Sequence, residues 1–476
     1  MSTFSDQFFN LLLLGDSQTN RNLTLIPLIA KSPGGIAFYT LANALDQGFT
    51  ITEIDDEGSV PEVRANNCLD KPVLILAGEE IVGAQQNRVS NTTVFIEEQT
   101  EIIIPVSCTE EGRWSSVSEE FSDSGYIMPA SIRARKAVSV ATSLREEQVR
   151  NSAQDEVWAA IDELAAATNV RGPTGAMRDV FLHSEPQLLE MIEPFAVSNS
   201  QVGVIALVNG DVVGIDCVSS PSAYQELAPK LLKSYALEAL VDEAPMFSDD
   251  SIKHAHAFID EIETCTETMY PGVSLGDEYR YESEAAVGTT LIYRDELVHA
   301  SFHRTIPTVP FPRSYWVRPG KLLAGFYPGA PTKQMAQDKL ERLLGAGIRC
   351  VINLVEEDEK GASRKPLRSY YALLKKLAGQ KNIEVTYMRI PIRDLDVPSR
   401  KTMDAIPDAI EQAHSREQPV YVHCWGGRGR TGTVIGCYLE EQGIAAGENA
   451  LKMIVRLRCR EKTSTTSSPE TDAQRE

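Results

Sequence analysis

The sequence predicts a two-domain protein. Residues 1–304 read as a strand-rich α+β domain. Residues 314–461 read as an α/β domain whose mainly parallel sheet is flanked by helices. Three observations carry this. A chain of 476 residues is too long for one hydrophobic core, since single cores stop growing at about 250–300 residues. The charge is lopsided. Residues 1–305 hold 19 Lys+Arg against 47 Asp+Glu, a net of −28, and residues 306–462 hold 26 against 17, a net of +9. The last fourteen hold one against three, which brings the whole chain to −21. Finally, residues 314–461 alternate β-rich apolar runs with segments of helical period, as parallel strands joined by helical crossovers do.

The elements follow in order. The apolar run 8–14 has no basic segment before it and no small-residue cleavage pattern after it, and it is too short to span a membrane. It reads as a helix or strand packed on the core. Runs 23–29, 73–76, 92–96 and 102–106 are strands by composition. Residues 148–168 form an amphipathic helix with Val157, Trp158, Ile161 and Leu164 on one face. Residues 201–217 form a hairpin turning at Asn209 and Gly210, and 224–241 another helix. Residues 305–313 carry three prolines in nine positions and cannot be regular helix or central strand, so they are read as a linker.

Beyond the linker, 315–317 and 322–325 read as short opening strands. Residues 332–345 are helical, with Met335, Leu340, Leu343 and Leu344 at helical spacing and Gly345 and Gly347 ending the run. Strand 350–355, helix 370–377, strand 385–392 and helix 403–414 follow, then a buried strand at 419–422. Residues 462–476 are Ser/Thr/Glu-rich and nearly devoid of apolar side chains, and so are expected to be disordered. No internal repeat is present.

After strand 419–422 comes the stretch with the most chemistry: His423, Cys424, Trp425, Gly426, Gly427, Arg428, Gly429, Arg430 and Thr431. Residues 433–439 read as the start of a helix, so this loop joins a strand end to a helix N-terminus. Unpaired N–H groups and the positive end of the helix dipole attract an anion there. A thiol in such a site is expected to ionise at neutral pH, which makes Cys424 a nucleophile. Gly426, Gly427 and Gly429 let consecutive N–H groups converge on one anion. Arg430 can hold two oxygens at once, as a lysine cannot. Trp425 and Arg428 line the loop, Thr431 is placed to donate to the sulfur, and His423 to order the loop.

This stretch resembles the signature of the cysteine-dependent protein tyrosine and dual-specificity phosphatases: His-Cys, five residues, Arg, Ser/Thr. Every position is filled from His423 to Thr431. A loop cysteine also serves rhodanese-like sulfurtransferases, but Arg430 and Thr431 at this spacing argue for phosphate. The resemblance covers residues 306–460 and implies a phosphatase fold, with an aspartate on a separate upstream loop as the acid. Segment 388–399 resembles that acid loop and offers two candidates. Asp394, thirty residues before Cys424, is favoured on pattern position, and Asp396 is the competitor.

In the N-terminal part the densest polar cluster is Glu79, Glu80, Gln86, Asn87, Arg88, Glu110 and Arg113. These residues either line a site for a polar ligand or cation, or form a salt-bridged strand edge. The runs 78–88 and 108–114, with Tyr279, Arg280, Tyr281 and the closing Val298, His299 and Ala300, resemble the domain associated with ADP-ribosylglycohydrolase and rhodanese/phosphatase proteins, over residues 20–304. That resemblance implies architecture and hints at ADP-ribose handling. His299 reads as a hydrogen-bonded strand histidine, since no second histidine lies at ligand spacing.

Eight cysteines without any Cys-x-x-Cys pairing are neither a disulfide framework nor a zinc site. A reactive Cys424 wants a reducing compartment, so a cytoplasmic protein is expected. The acidic half and the lack of interleaved basic and aromatic residues argue against nucleic acid. The acidic N-terminal domain can dock on the basic C-terminal one. The expectation is a phosphomonoester hydrolase acting on a phosphoprotein or a small phosphorylated metabolite, with no metal or cofactor. The alternative is a phospho-ligand sensor or scaffold with little turnover, tied to ADP-ribose metabolism.

Overall fold

The computed structural model describes residues 9–32, 35–55, 58–170, 172–242, 250–305, 309–318, 320–330, 332–361, 367–459 and 468–475. Phe8 of the first apolar run, residues 306–308 of the proline-rich stretch, and 462–467 and 476 of the C-terminal stretch lie outside the described residues. The chain divides into two compact units, residues 1–306 and 307–476. Among the described residues no helix is long and apolar enough to cross a membrane.

The N-terminal unit is built on antiparallel sheets. The largest has nine strands. Leu23–Ala30 pairs with Gln201–Val208, which pairs in turn with Asp211–Val218, and Glu296–Arg304, Ala286–Tyr293, Asp277–Glu282 and Thr266–Pro271 follow. The hairpin between Gln201–Val208 and Asp211–Val218 turns where expected: Asn209 has φ 54° and Gly210 φ 85°, the two positive values a tight primed turn requires. Six more strands, among them Glu79–Gly83, Arg88–Ser90 and Thr100–Cys108, form a second antiparallel sheet. Val94–Ile96, Val73–Ile75 and Tyr39–Thr40 form a small third one. Helices Ala130–Glu147, Gln154–Ala167, Met177–Ile192 and Pro221–Val241 bury their inner faces in one cluster with Val204, Ala206 and Val208 of the large sheet.

The helix expected over 148–168 starts later, at Gln154. Gln148 is instead the left-handed cap, φ 60°, of the preceding helix Ala130–Glu147, which the apolar periodicity did not reveal. Val157, Ile161 and Leu164 are buried as expected, and Trp158 only partly. In the first apolar run, Leu12–Leu14 is an edge strand on Leu23–Ala30, with Leu11 and Leu13 exposed.

The C-terminal unit holds a five-stranded sheet in the order Ser314–Arg318, Leu322–Gly325, Val420–His423, Cys350–Asn353, Thr386–Arg389. Three of its four pairings are parallel and the edge pairing of Ser314–Arg318 is antiparallel. Elsewhere among the described residues pairing is antiparallel except for Tyr39–Thr40 on Val73–Ile75, so the sheets taken together are mostly antiparallel. Side chains alternate between the two faces of the C-terminal sheet. Leu322, Ala324, Ile352, Val420 and Val422 pack with Ile406 and Ile410 of helix Arg400–His414 and Val434 and Tyr438 of helix Gly429–Glu441. Leu323, Val351 and Tyr421 pack the other way, on Leu340 and Leu343 of Lys333–Gly345 and Leu374 and Leu377 of Tyr371–Gln380. Strand Val420–His423 is therefore central, covered on both faces and paired on both edges. Its C-terminal end delivers Cys424 to the sheet's rim, where parallel-sheet proteins place their ligands.

Candidate active site

The strand Val420–His423 stops where its carbonyls find new partners. The His423 carbonyl accepts from Leu354 N–H (2.9 Å), that of Trp425 from Tyr327 N–H (3.1 Å), and that of Gly426 from Arg313 Nη2 (2.9 Å). Each carbonyl tied outward turns an adjacent peptide N–H inward. The loop is thereby preset to surround an anion. Helix Gly429–Glu441 begins four residues earlier than the sequence suggested, because glycines are poor helix formers and masked its first turn. Arg430 and Thr431 thus stand on the helix's first turn. Of the three loop glycines, Gly427 is the one with positive φ, 70°, and a Cβ there would lie 2.7 Å from the Gly325 carbonyl carbon. Gly426 faces open space, and Gly429 is hemmed by the Gln474 side chain instead.

Cys424 is buried at the base of the loop, and its Sγ accepts from Gly427 N–H at 3.2 Å. Thr431, expected to donate to the sulfur, donates instead to the Gly325 carbonyl at 3.4 Å, because its position on the helix's first turn directs the hydroxyl to the neighbouring strand. His423 is fully buried. Its Nδ1 lies 3.0 Å from the Cys424 carbonyl, an oxygen that only accepts, so Nδ1 carries the proton. Nε2 then accepts from Tyr370 Oη at 2.5 Å. Burial, with the Arg430 and Arg389 charges close by, drives the imidazole down to about 3. The ring is thus neutral near pH 7 and held at both nitrogens.

The Arg430 guanidinium is 2% exposed and held from two sides. Glu359 takes a fork on it, with Nη1 to Oε2 at 2.6 Å and Nη2 to Oε1 at 2.7 Å. Nη1 also donates to the Ile392 carbonyl (3.1 Å), and Asp394 Oδ1 lies 2.9 Å from Nη2. Burial disfavours the charge, but Glu359, the Cys424 sulfur and Asp394 together hold the guanidinium above its usual value. Glu359 is the residue sequence reasoning missed. It ends the acidic run 356–359, which carries no local signature of its role.

Of the two acid candidates, Asp394 reaches the loop. Asp396 turns away: its Oδ1 accepts from Val397 N–H (2.9 Å) and its carbonyl from Gln474 Nε2 (3.1 Å). Asp394 is 57% exposed, against 10% for Glu359. Trp425 is 39% exposed at the loop's rim. Arg428 meets Glu470 at 3.7 Å, and its carbonyl accepts from Ser468 Oγ at 2.8 Å. Part of the stretch expected to be disordered is therefore seated here. Ser468 and Gln474 are buried, and Asp472–Arg475 is a short helix. Composition could not show this, because the anchors are polar groups bonded to backbone carbonyls.

Of the seven N-terminal residues singled out above, Gln86, Asn87, Arg88, Glu110 and Arg113 partner partly one another, and Glu79 and Glu80 partner other residues. Glu79 pairs with Lys230 (2.7 Å), and Glu80 accepts from Thr109 (2.7 Å). Arg88 donates to Gln86 (3.1 Å) and lies 3.6 Å from Glu53. Arg113 binds Glu110 (2.7 Å) and Asn87 (3.1 Å). Burial, opposed by hydrogen bonds from Thr109 and Ser124, pushes Glu80 up to about 7. None of the seven lines the cavity of this unit discussed below.

Comparison with known proteins adds two family matches and several relatives. Residues 328–444 match the model described as polymorphic toxin system, DSP-PTPase phosphatase. An uncharacterized protein of Methanocaldococcus jannaschii is 39% identical over 62 residues, 13% of this chain and 39% of that protein. A second from the same organism is 32% identical over 77 residues, 16% and 50%. The chain thus spans half or less of the length of these curated relatives. Among solved structures, Tk-PTP in the active form is 22% identical, covering 34% of this chain and 92% of that one, at a TM-score of 0.25. PTPMT1 in complex with PI(5)P is 23% identical, covering 34% and 89%, at 0.26. Residues 12–303 match the model described as ARG and Rhodanese-Phosphatase-superfamily-associated Protein domain. That match takes in more than half of this chain, which belongs to this family, and the segment matching the phosphatase model follows it.

Proposed function

We propose that the C-terminal unit hydrolyses phosphomonoesters through a cysteinyl-phosphate intermediate. The reading is supported by Cys424 Sγ accepting from Gly427 N–H at 3.2 Å and by Arg430, which the sulfur's charge reaches and which lies 2.9 Å from the Asp394 carboxylate. Glu359 and the Ile392 carbonyl accept three hydrogen bonds from the Arg430 Nη atoms, and Asp394 forms an ion pair with Nη2. A phosphoryl group gripped by Nε and Nη2 must displace Asp394 from Nη2. Substrate binding itself then frees the acid to reach the leaving oxygen.

The Cys424 thiolate attacks phosphorus. The S–P bond forms as the P–O ester bond breaks, and Asp394 gives its proton to the departing oxygen. Water then attacks the phosphocysteine, Asp394 takes the water's proton, the S–P bond breaks and phosphate leaves. Charge on the equatorial oxygens is met throughout by the loop amides and Arg430. The substrate is a phosphoprotein or a phosphorylated small molecule, and the exposed Trp425 at the rim leaves room for either. Steady release of nitrophenol from p-nitrophenyl phosphate by the wild type, lost in Cys424→Ser, is the expected result. Binding of phosphate without turnover in the wild type would instead establish a phospho-ligand sensor.

A further inference from the structure

The N-terminal unit contains a cavity that its own charges do not balance. It lies between helix Ala130–Glu147 and the large sheet. The helix contributes Arg133 and Lys136, and the strands contribute Arg280, Thr289, Ser301 and His303. It leaves about 30 Å³ free, where one water needs roughly 10–15 Å³. That is room for about two water-sized groups, such as two oxygens of an oxyanion. Gly78 and Gly288 line it without side chains.

All three cationic residues are more than nine-tenths buried. Arg133 is bound by Asp216 through both carboxylate oxygens, 2.8 and 2.9 Å, yet its Nε has no partner. Arg280 shares Glu278 with Arg150, and its Nε is also without a partner. His303 Nδ1 is a third such atom. Among the described residues no carboxylate pairs with Lys136. Its ammonium donates to the Ser90 carbonyl, and the charge acting on it is that of Arg280, also positive. Burial and that charge hold it well below the usual lysine range. The unit's other buried lysine shows what balance looks like: Lys230 contacts both Glu79 and Asp123 at 2.7 Å. Buried donors left without acceptors are costly, and a buried charge without a counter-ion more so. An anion seated among them removes both penalties.

We propose that this cavity binds an oxyanion of the phosphate class, free or as the phosphoryl group of a small metabolite, with Arg280, Lys136 and Arg133 as its ligands. Two guanidinium edges and an ammonium around one small space match the several oxygens of such a group. The site is separate from Cys424 and does not depend on the hydrolase reading.

The test uses the full chain carrying Arg430→Ala, which silences the C-terminal phosphate cradle. Inorganic phosphate and ribose 5-phosphate are titrated by calorimetry. One remaining site is expected, weakened at least tenfold by Lys136→Met and by Arg280→Gln. Tighter binding of inorganic phosphate assigns a free anion, and tighter binding of ribose 5-phosphate a phosphorylated metabolite. Lys136→Met should also raise the melting temperature in anion-free buffer, since it removes a buried amine that either carries a charge without a counter-ion or must give up its proton, whereas a lysine kept only to hold the Ser90 carbonyl would lower it. No residual binding in Arg430→Ala, or residual binding that both further variants leave unchanged, overturns the proposal.

Discussion

Two carboxylates touch one guanidinium in the C-terminal unit, and separating their roles is the sharpest test of the site. Glu359 makes two charge-assisted hydrogen bonds to a buried Arg430. Such bonds contribute about 1.5–3 kcal/mol each, and breaking one partner of a buried pair costs about 3–5 kcal/mol. Glu359→Ala should therefore destabilise the unit by about 3 kcal/mol, a fall of roughly 6–12 °C in Tm for a domain of this size. Asp394 is 57% exposed, so its contact is worth only about 0–1 kcal/mol, and Asp394→Asn should leave Tm within a few degrees. Activity should invert the order. Asp394→Asn removes the acid and should lower kcat by about two to four powers of ten on a phosphate ester with a poor leaving group. The loss should shrink on p-nitrophenyl phosphate, whose leaving group needs no proton. Glu359→Gln misorients Arg430 and should lower kcat/KM by about tenfold to a hundredfold, equally for both leaving groups. Differential scanning calorimetry and steady-state kinetics on paired substrates measure the four quantities. A large Tm loss in Asp394→Asn, leaving-group sensitivity in Glu359→Gln, or a larger rate loss from Asp396→Asn would refute the assignment.

Other expectations follow from the same geometry. Cys424→Ser should abolish turnover while vanadate still binds, because Arg430 and the loop amides survive. Arg430→Lys should lose both binding and rate, since an ammonium cannot replace the fork. Gly427→Ala places a Cβ 2.7 Å from the Gly325 carbonyl carbon at φ 70°, and should cost on the order of 1–3 kcal/mol with a fall in turnover. His423 titrates near 3 in the folded protein and near 6.5 when unfolded. The unfolded chain thus binds the extra proton between those values. Its contribution is fully present above pH 6.5 and is lost as pH falls toward 3, at up to about 1.4 kcal/mol per pH unit. His423→Gln should flatten that slope in an acid-unfolding series. His299 and His303, driven by burial to about 4 and about 3, should give the N-terminal unit a steeper acid slope of the same sign.

The Cys424 loop was legible as a pattern because it is local: nine consecutive residues, 423–431, carry the cysteine, the turn glycine and the arginine. The short pattern before Pro398 pointed to Asp394, which lies beside Arg430. The C-terminal strands were legible because their side chains alternate strictly between two apolar layers. Glu359 was not, since its role exists only where the acidic run 356–359 meets Arg430 across 71 positions of sequence. Helix Ala130–Glu147 was hidden for a different reason. Its inner face carries Arg133 and Lys136 where periodicity looks for apolar side chains. The helix start at Gly429 was misjudged because backbone freedom in the loop glycines reads as irregular structure. The polar cluster from Glu79 to Arg113 was legible as a cluster, but not its mutual pairing, which depends on strand register.

Arg430 is anchored before any substrate arrives, and this has a thermodynamic consequence. A free arginine side chain loses about 1.5–2 kcal/mol of rotamer entropy when it is fixed. Glu359 and the Ile392 carbonyl fix it during folding, so oxyanion binding need not order it again. Association of phosphate or vanadate with this loop should therefore show a small conformational-entropy penalty and a heat that barely changes with temperature. Releasing the anchor with Glu359→Gln should move the unfavourable change into the entropy of binding, leaving the enthalpy of contact largely intact.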